Sequence, residues 1–229
     1  MKLLGLIGGV SPESTLIYYR LLNEAAKARL GPEHSANILL YTLDYGVMIH
    51  HYNAGDWEAF KAEVVKAAEH LKAAGVDALM ICSNTTHVAA DAVAQATGLP
   101  VIHLMDALAS AMAAAGARQP LLLGTPVVMS GDQYKGELAK RYDGAVLTPT
   151  GPEQDIIGRI ILDELVNGEV LDSSRKELID IAARDSADAV ILGCTELCMI
   201  LSQEHLELPV FDTTAIHASA ASAFSFEEG

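Results

Sequence analysis

Two stretches decide the fold: Asp77-Ala-Leu-Met-Ile-Cys-Ser-Asn-Thr85 and Asp188-Ala-Val-Ile-Leu-Gly-Cys-Thr-Glu196. Each opens on Asp-Ala, runs through apolar residues and ends in small, thiol or hydroxyl side chains. A short unbroken apolar run closed by such residues reads as a strand buried on both faces. Leu99-Pro100-Val101-Ile102 follows the first and Leu208-Pro209-Val210-Phe211 the second. Upstream, Leu4-Gly5-Leu6-Ile7-Gly8-Gly9 is echoed by Leu121-Leu122-Leu123-Gly124-Thr125. The same features in the same order imply a duplicated α/β half. The two stretches lie 111 positions apart (188 less 77), which sets Ser83 opposite Cys194 and Cys82 opposite Gly193. Side chains alternate along a strand, so Cys82 points away from the side that Ser83 faces.

Working outward, strands are predicted near Lys2–Gly8, Asn37–Leu43, Ala78–Cys82, Val101–His103, Leu121–Gly124, Ala145–Leu147, Ala189–Gly193 and Val210–Phe211. Helices between them include Glu13–Leu30, Trp57–Ala74, Glu153–Asn167 and Ser174–Ser186. Apolar strands alternating with helices give an α/β fold whose parallel sheets are covered on both faces. The repeat divides it into two pseudo-symmetric parallel-sheet halves, 1–104 with 213–229 and 105–212, with an active site expected in the cleft between them. Ser11 caps the first helix with Pro12 at its first position. Ser130-Gly131-Asp132-Gln133 reads as a capping box.

The 229 residues carry a formal charge of −15, and 51% of them are hydrophobic. That supplies a packed core. An acidic surface repels nucleic acid and anionic membranes alike, so neither is expected as a partner. The start, Met1 to Thr15, has one Lys and too short an apolar run for a signal peptide. No stretch approaches the roughly 18 apolar residues of a membrane span. A cytoplasmic location follows as the expectation, with Cys82, Cys194 and Cys198 as reduced thiols.

In open parallel sheets, ligands bind at the carboxyl ends of the strands. Gly8-Gly9-Val10-Ser11, Cys82-Ser83-Asn84-Thr85, Gly124-Thr125 and Gly193-Cys194-Thr195-Glu196 all fall there. Taken singly, each is a tight strand–helix turn. Together, their backbone N–H groups offer a concavity for a carboxylate. Cys194 reads as an inert buried side chain or as a catalyst. Beside a helix N-terminus its thiolate is favoured, with a pKa below the usual value of about 8.5. Cys198 follows four residues on, but the spacing is not that of a closed zinc site, and no metal is expected. Gly5-Leu6-Ile7-Gly8-Gly9 lacks the G-x-G-x-x-G spacing of a dinucleotide site. His50-His51 reads as a solvated loop, and His87 as a cap or lining group after Asn84-Thr85.

These strand-end motifs resemble the aspartate/glutamate racemase family. The matching pieces are Gly8-Gly9-Val10-Ser11-Pro12-Glu13-Ser14-Thr15 with Tyr18-Tyr19, Asn84-Thr85-Thr86-His87, Leu123-Gly124-Thr125, Asp163-Glu164-Leu165, Gly193-Cys194-Thr195-Glu196-Leu197, and Leu208 to His217. They span nearly the whole chain. The resemblance implies racemisation of an acidic amino acid, aspartate or glutamate, with no cofactor. Two acid/base groups would work on opposite faces of the α-carbon, one supplied by each half, because one base returning its proton to the same face regenerates the starting enantiomer. It names Cys194 and the residue at position 83 as those groups. Gly9, Val10, Ser11, Asn84, Thr85, Thr125, Thr195 and Glu196 would surround the substrate. A homodimer is likewise implied.

Three positions depart from the family pattern. Ser83 stands where the second Cys is usual, and a serine hydroxyl is a poor base unless a neighbour activates it. This resembles the one-thiol members that act chiefly on L-enantiomers, and implies an L-to-D bias. Pro126 replaces an Arg of many relatives, and Ile156 lies near the place of a Lys. Arg159 is read as a surface residue. The alternatives are a one-thiol decarboxylase or isomerase of the same superfamily and an inactive binding protein, since function follows the site and not the fold.

Overall fold

The computed structural model describes residues 1–183 and 186–227, the side chain of Gln133 excepted. The chain divides into two compact units, Met1–Leu104 joined by the stretch that begins at His217, and Met105–Ile216.

The first unit is built on a four-stranded sheet of β1 (Leu4–Gly8), β2 (Ile38–Thr42), β3 (Ala78–Ile81) and β4 (Val101–Ile102), in the order β2-β1-β3-β4. All pairings are parallel, and Leu4 lies between Ile38 and Ala78 in register. Alternation sorts the central strand onto two cores. Leu79 and Ile81 join Ile7, Phe60, Val64 and Leu71 on one face. Ala78, Met80 and Cys82 join Leu4, Leu6, Tyr18, Leu22 and Ala221 on the other. The helices that cover these faces are amphipathic at the expected spacing. In the helix Trp57–Ala73 the buried residues are Phe60, Val64, Ala67, Ala68 and Leu71, and Asp56 caps its start by accepting the Ala59 N–H at 3.0 Å. Burying such a face supplies most of a helix's stability.

The second unit repeats the plan. Its sheet is β5 (Pro120–Leu123), β6 (Ala189–Leu192) and β7 (Val210–Asp212), parallel in that order. A parallel bridge from Leu121 to Leu147 occupies the outer position that β2 fills in the first sheet. Val190, Leu192, Leu121 and Leu123 pack with Ile157, Ile160, Leu178 and Ile181. Local contacts repeat as well. Asp77 accepts the Leu3 N–H at 2.6 Å, while Asp188 accepts those of Arg118 and Gln119, at 2.5 and 2.9 Å. The Cys82 N–H donates to Ile7 O, and the Gly193 N–H to Leu123 O. The Asp of each repeated stretch thus ties the start of its strand to the neighbouring strand.

Several expectations change, and His50-His51, read as a solvated loop, lies within the helix Tyr45–Ala54. Ala145–Leu147 makes one bridge instead of a strand. Glu153–Asn167 is an α-helix only over Gly151–Arg159, then a wide π turn over Ile160–Glu164 and a 3-10 turn over Leu165–Asn167. No Gly or Pro interrupts Arg159–Asn167, so the apolar period carried no sign of the break. The capping box at Ser130 does not form. Ser130 ends the helix Pro126–Ser130 and donates to Pro126 O, and Gly131 precedes the helix Asp132–Ala139 with no side-chain cap. The helix read as Ser174–Ser186 spans Asp172–Ala182; the end expected past Ala183 lies partly outside the described residues. Among the described residues no helix is long and apolar enough to cross a membrane.

Candidate active site

In the first unit, two strand-end loops carry the expected residues. Gly9 has φ +92, and Ser11 takes φ 77, the left-handed region that a non-glycine residue rarely enters. The loop is held by the helix it precedes. Thr15 Oγ1 accepts the Gly9 N–H at 2.9 Å and donates to Ser11 O at 3.0 Å, and Ser11 Oγ accepts the Ser14 N–H. Only glycine fits at position 9, where a Cβ would lie 2.2 Å from Leu43 O and 2.6 Å from Leu43 N. Val10 and Ser11 are half-buried.

At the end of β3, Ser83 and Thr85 are half-buried, and Asn84 is buried. The chain leaves the strand into a 3-10 turn, Thr85–Ala89. His87 fastens that turn. Its Nε2 accepts the Leu104 N–H at 3.2 Å, so its proton resides on Nδ1, which donates to Ser83 O at 2.7 Å. His87, read as a cap or lining group, lies inside this 3-10 turn, which Asn84 precedes. Cys82, one place back, faces the core beneath, and burial pushes its thiol far up.

In the second unit, Thr125 follows β5 and precedes Pro126 at the start of a short helix. Its hydroxyl is buried and has no hydrogen-bond partner among the described residues. After β6 comes Gly193, packed against Leu122 and Leu123 O, and then Cys194, Thr195 and Glu196, all buried. Cys194 Sγ donates to Glu196 Oε2 at 2.9 Å, and Thr195 Oγ1 donates to the same oxygen at 2.9 Å. Cys198, half-buried, turns its thiol to Thr195 O. All three cysteines are free thiols.

The electrostatics correct one expectation. Cys194 follows the same strand end, but its thiol is pushed well above the usual range. Burial is the largest cause, followed by the charge of Glu196 and the hydrogen bond to it. The element after it is a 3-10 turn of three residues, Leu197–Met199, and too short to supply the dipole of a helix. The resting group is a neutral thiol donating to a carboxylate. Sequence reasoning did not single out Tyr134, buried on Asp132–Ala139, whose phenol is raised chiefly by burial. Nor did it group His87 with His103 and His217, whose rings lie 5.0 and 5.3 Å from it. His217 stood inside a quoted motif, but nothing in one sequence shows which histidines meet. Arg159 pairs with Glu164 and Glu177 on a partly exposed surface. No cluster of three or more His, Cys, Asp or Glu among the described residues is arranged to hold a metal.

The chain as a whole is similar to known proteins. A Yersinia pestis structure with a proposed Asp/Glu racemase assignment superposes with a TM-score of 0.92 at 38% identity, covering 99% of this chain and all of that one. Picrophilus torridus aspartate racemase aligns with a TM-score of 0.77 at 25% identity, over 96% and 95% of the two chains. The broad-specificity amino-acid racemase RacX of Bacillus subtilis is 20% identical over 95% of this chain and 96% of its own length. Residues 7–221 match the family described as Asp/Glu/Hydantoin racemase, and this racemase belongs to it.

Proposed function

We propose that the protein racemises an acidic amino acid, aspartate first and glutamate second, with its own side chains carrying the proton and no cofactor taking part. The observation that carries this reading is the bond from Cys194 Sγ to Glu196 Oε2. A buried thiol beside a buried carboxylate holds one proton in a pair of net charge −1. Passing that proton from sulfur to oxygen leaves the net charge unchanged, so the thiolate forms without a second buried charge. The thiolate then removes the α-proton of the L-enantiomer. A thiolate whose conjugate acid is weak is a correspondingly strong base, which suits a weakly acidic C–H.

Ser83, or a water it holds, delivers a proton to the opposite face. The hydroxyl is a weaker acid than a thiol, so this step is the slower one. An equilibrium constant of one between mirror-image amino acids forces kcat/KM to be equal in the two directions. The L-side bias therefore resides in kcat and in the rate of α-proton exchange. Backbone N–H groups at Val10, Ser11, Asn84, Thr85, Thr125 and Thr195 are the proposed carboxylate donors, with Gly9, its own N–H bound to Thr15, shaping the loop beside them and Glu196 as the proton acceptor. Aspartate is favoured by the name of the Picrophilus torridus relative.

We further infer a homodimer working in the cytoplasm. Exposed Leu16, Tyr19, Leu39 and Leu40 give the first unit apolar surface for it, and reduced thiols suit that compartment. Light scattering that finds only monomer overturns the dimer. For the activity, the test is incubation of L-aspartate and L-glutamate with the protein, with D-enantiomer measured by chiral chromatography. D-aspartate formation is expected. Release of carbon dioxide from malonates, with both amino acids untouched, would replace the racemase reading by a decarboxylase.

A further inference from the structure

Three histidines and a tyrosine of the first unit cluster beside Ser83, with His87, His217 and Tyr18 buried and His103 half-buried. His217 is fully buried on the helix Thr213–Ser225. Its Nε2 lies 2.7 Å from Ile102 O, which can only accept, so Nε2 carries the proton and Nδ1 accepts the Tyr18 hydroxyl at 3.1 Å. His217 therefore stands as a neutral ring, edge-on to His87 at 5.3 Å. His103 closes in at 5.0 Å. Packed against these rings, His87 has both nitrogens committed: Nε2 accepts from Leu104, and Nδ1–H donates to Ser83 O. The ring bridges the ends of β3 and β4, and its donor is spent on the backbone of the residue that stands in the place of a catalytic thiol.

We infer that His87 is a positioning residue for Ser83. By fixing the Ser83 carbonyl it sets the backbone from which the Ser83 hydroxyl reaches the substrate. That hydroxyl accepts the Thr86 N–H at 3.5 Å, a long bond that orients it weakly. The carbonyl bond at 2.7 Å is the stronger restraint on the same residue. A thiol at position 83 would tolerate a loose turn because it is acidic enough to donate readily; a hydroxyl requires placement. The neutral Nδ1–H form is the one that does this, and the Leu104 N–H donating to Nε2 selects it.

The inference rests on the racemase reading, with Ser83 as the far-face donor. Its test separates the two nitrogens. In His87→Asn the side-chain amide N falls where Nδ1 was and still donates to Ser83 O. In His87→Gln the amide reaches the Nε2 place and still satisfies Leu104 N–H, but loses the donor to Ser83. Each variant and the wild type are incubated with L-aspartate in D2O. Deuterium incorporation into the L-form reports Cys194, and D-aspartate reports delivery at Ser83. Thermal unfolding of each is measured alongside.

The expected result is a D-aspartate yield per exchange event lowered by about tenfold or more in His87→Gln, with exchange itself within about twofold, since small misplacement of a reacting group costs this much. His87→Asn is expected to recover most of that yield. Equal yields in both variants overturn the inference. So does a parallel fall of exchange, yield and unfolding temperature in both, which is the mark of a purely structural histidine. Wild-type exchange with no D-aspartate overturns it too, because there is then no delivery to position. A wild type that exchanges nothing instead overturns the racemase reading itself.

Discussion

The thiol of Cys194 and the carboxylate of Glu196, two residues apart, share a hydrogen bond of 2.9 Å inside the second unit, and the carboxylate also accepts the hydroxyl of Thr195. The carboxylate raises the thiol, and in the proposed mechanism it also takes the thiol's proton. These two roles make opposite predictions for one substitution.

In Glu196→Gln the charge and the charged acceptor are lost, and both were raising the thiol. Its titration, followed by thiolate absorbance near 240 nm or by alkylation rate, is expected to move to lower pH, with burial still holding it above the ordinary value. Exchange of the α-proton is expected to fall by roughly 100-fold, the usual loss when a general base is removed. A thiol that titrates higher in Glu196→Gln would contradict the electrostatic account.

Ser83→Cys should restore a second thiol. Deuterium exchange from D-aspartate is expected to rise by about tenfold or more, because a thiol is both a better acid and a better base than a hydroxyl near neutral pH. Exchange from L-aspartate should change little. An unchanged D-side rate would remove position 83 from the chemistry.

Gly9→Ala forces a Cβ to within 2.2 Å of Leu43 O at a residue with φ +92. The atoms it meets first belong to backbone and cannot swing aside. A loss of about 2 kcal/mol or more is expected from the strained conformation and the overlap together. For a chain of this size that is a fall of roughly 4–8 °C in Tm by calorimetry.

Stability should also depend on pH through His217, whose pKa is lowered from 6.5 to about 4 by burial. A histidine lowered on folding binds fewer protons in the native state. Its contribution is therefore complete above pH 6.5 and is lost as pH falls toward 4. Between pH 7.5 and pH 5 the loss from this group is about 2 kcal/mol. Urea midpoints of wild type and His217→Gln, compared at the two pH values, should show a shallower fall in the variant. Parallel falls would mean that His217 is not held neutral.

Much of this was legible in the sequence for one reason: the strands are apolar on both faces and end in small residues. Those runs placed β1, β3, β5 and β6 and the loops after them, and the repeated Asp-Ala stretches aligned Ser83 with Cys194. The interrupted helix after Arg159 was not legible, because apolar residues run on through the π turn with no Gly or Pro to mark it. The thiol's raised pKa was missed because the sequence shows the nearness of Glu196 but not its direction. A carboxylate two residues on can face solvent as readily as sulfur. The grouping of His87, His103 and His217 depends on the return of the chain at its C-terminal helix, which no local pattern encodes.

The central claim is that Cys194 moves the α-proton of an acidic amino acid. Its most direct test is the loss of the α-proton signal of L-aspartate and L-glutamate in D2O by NMR, with wild type beside Cys194→Ala. Exchange by the wild type with formation of the D-enantiomer, and none by the variant, is the predicted result. Exchange that persists in Cys194→Ala, or a wild type that exchanges neither amino acid, would contradict it.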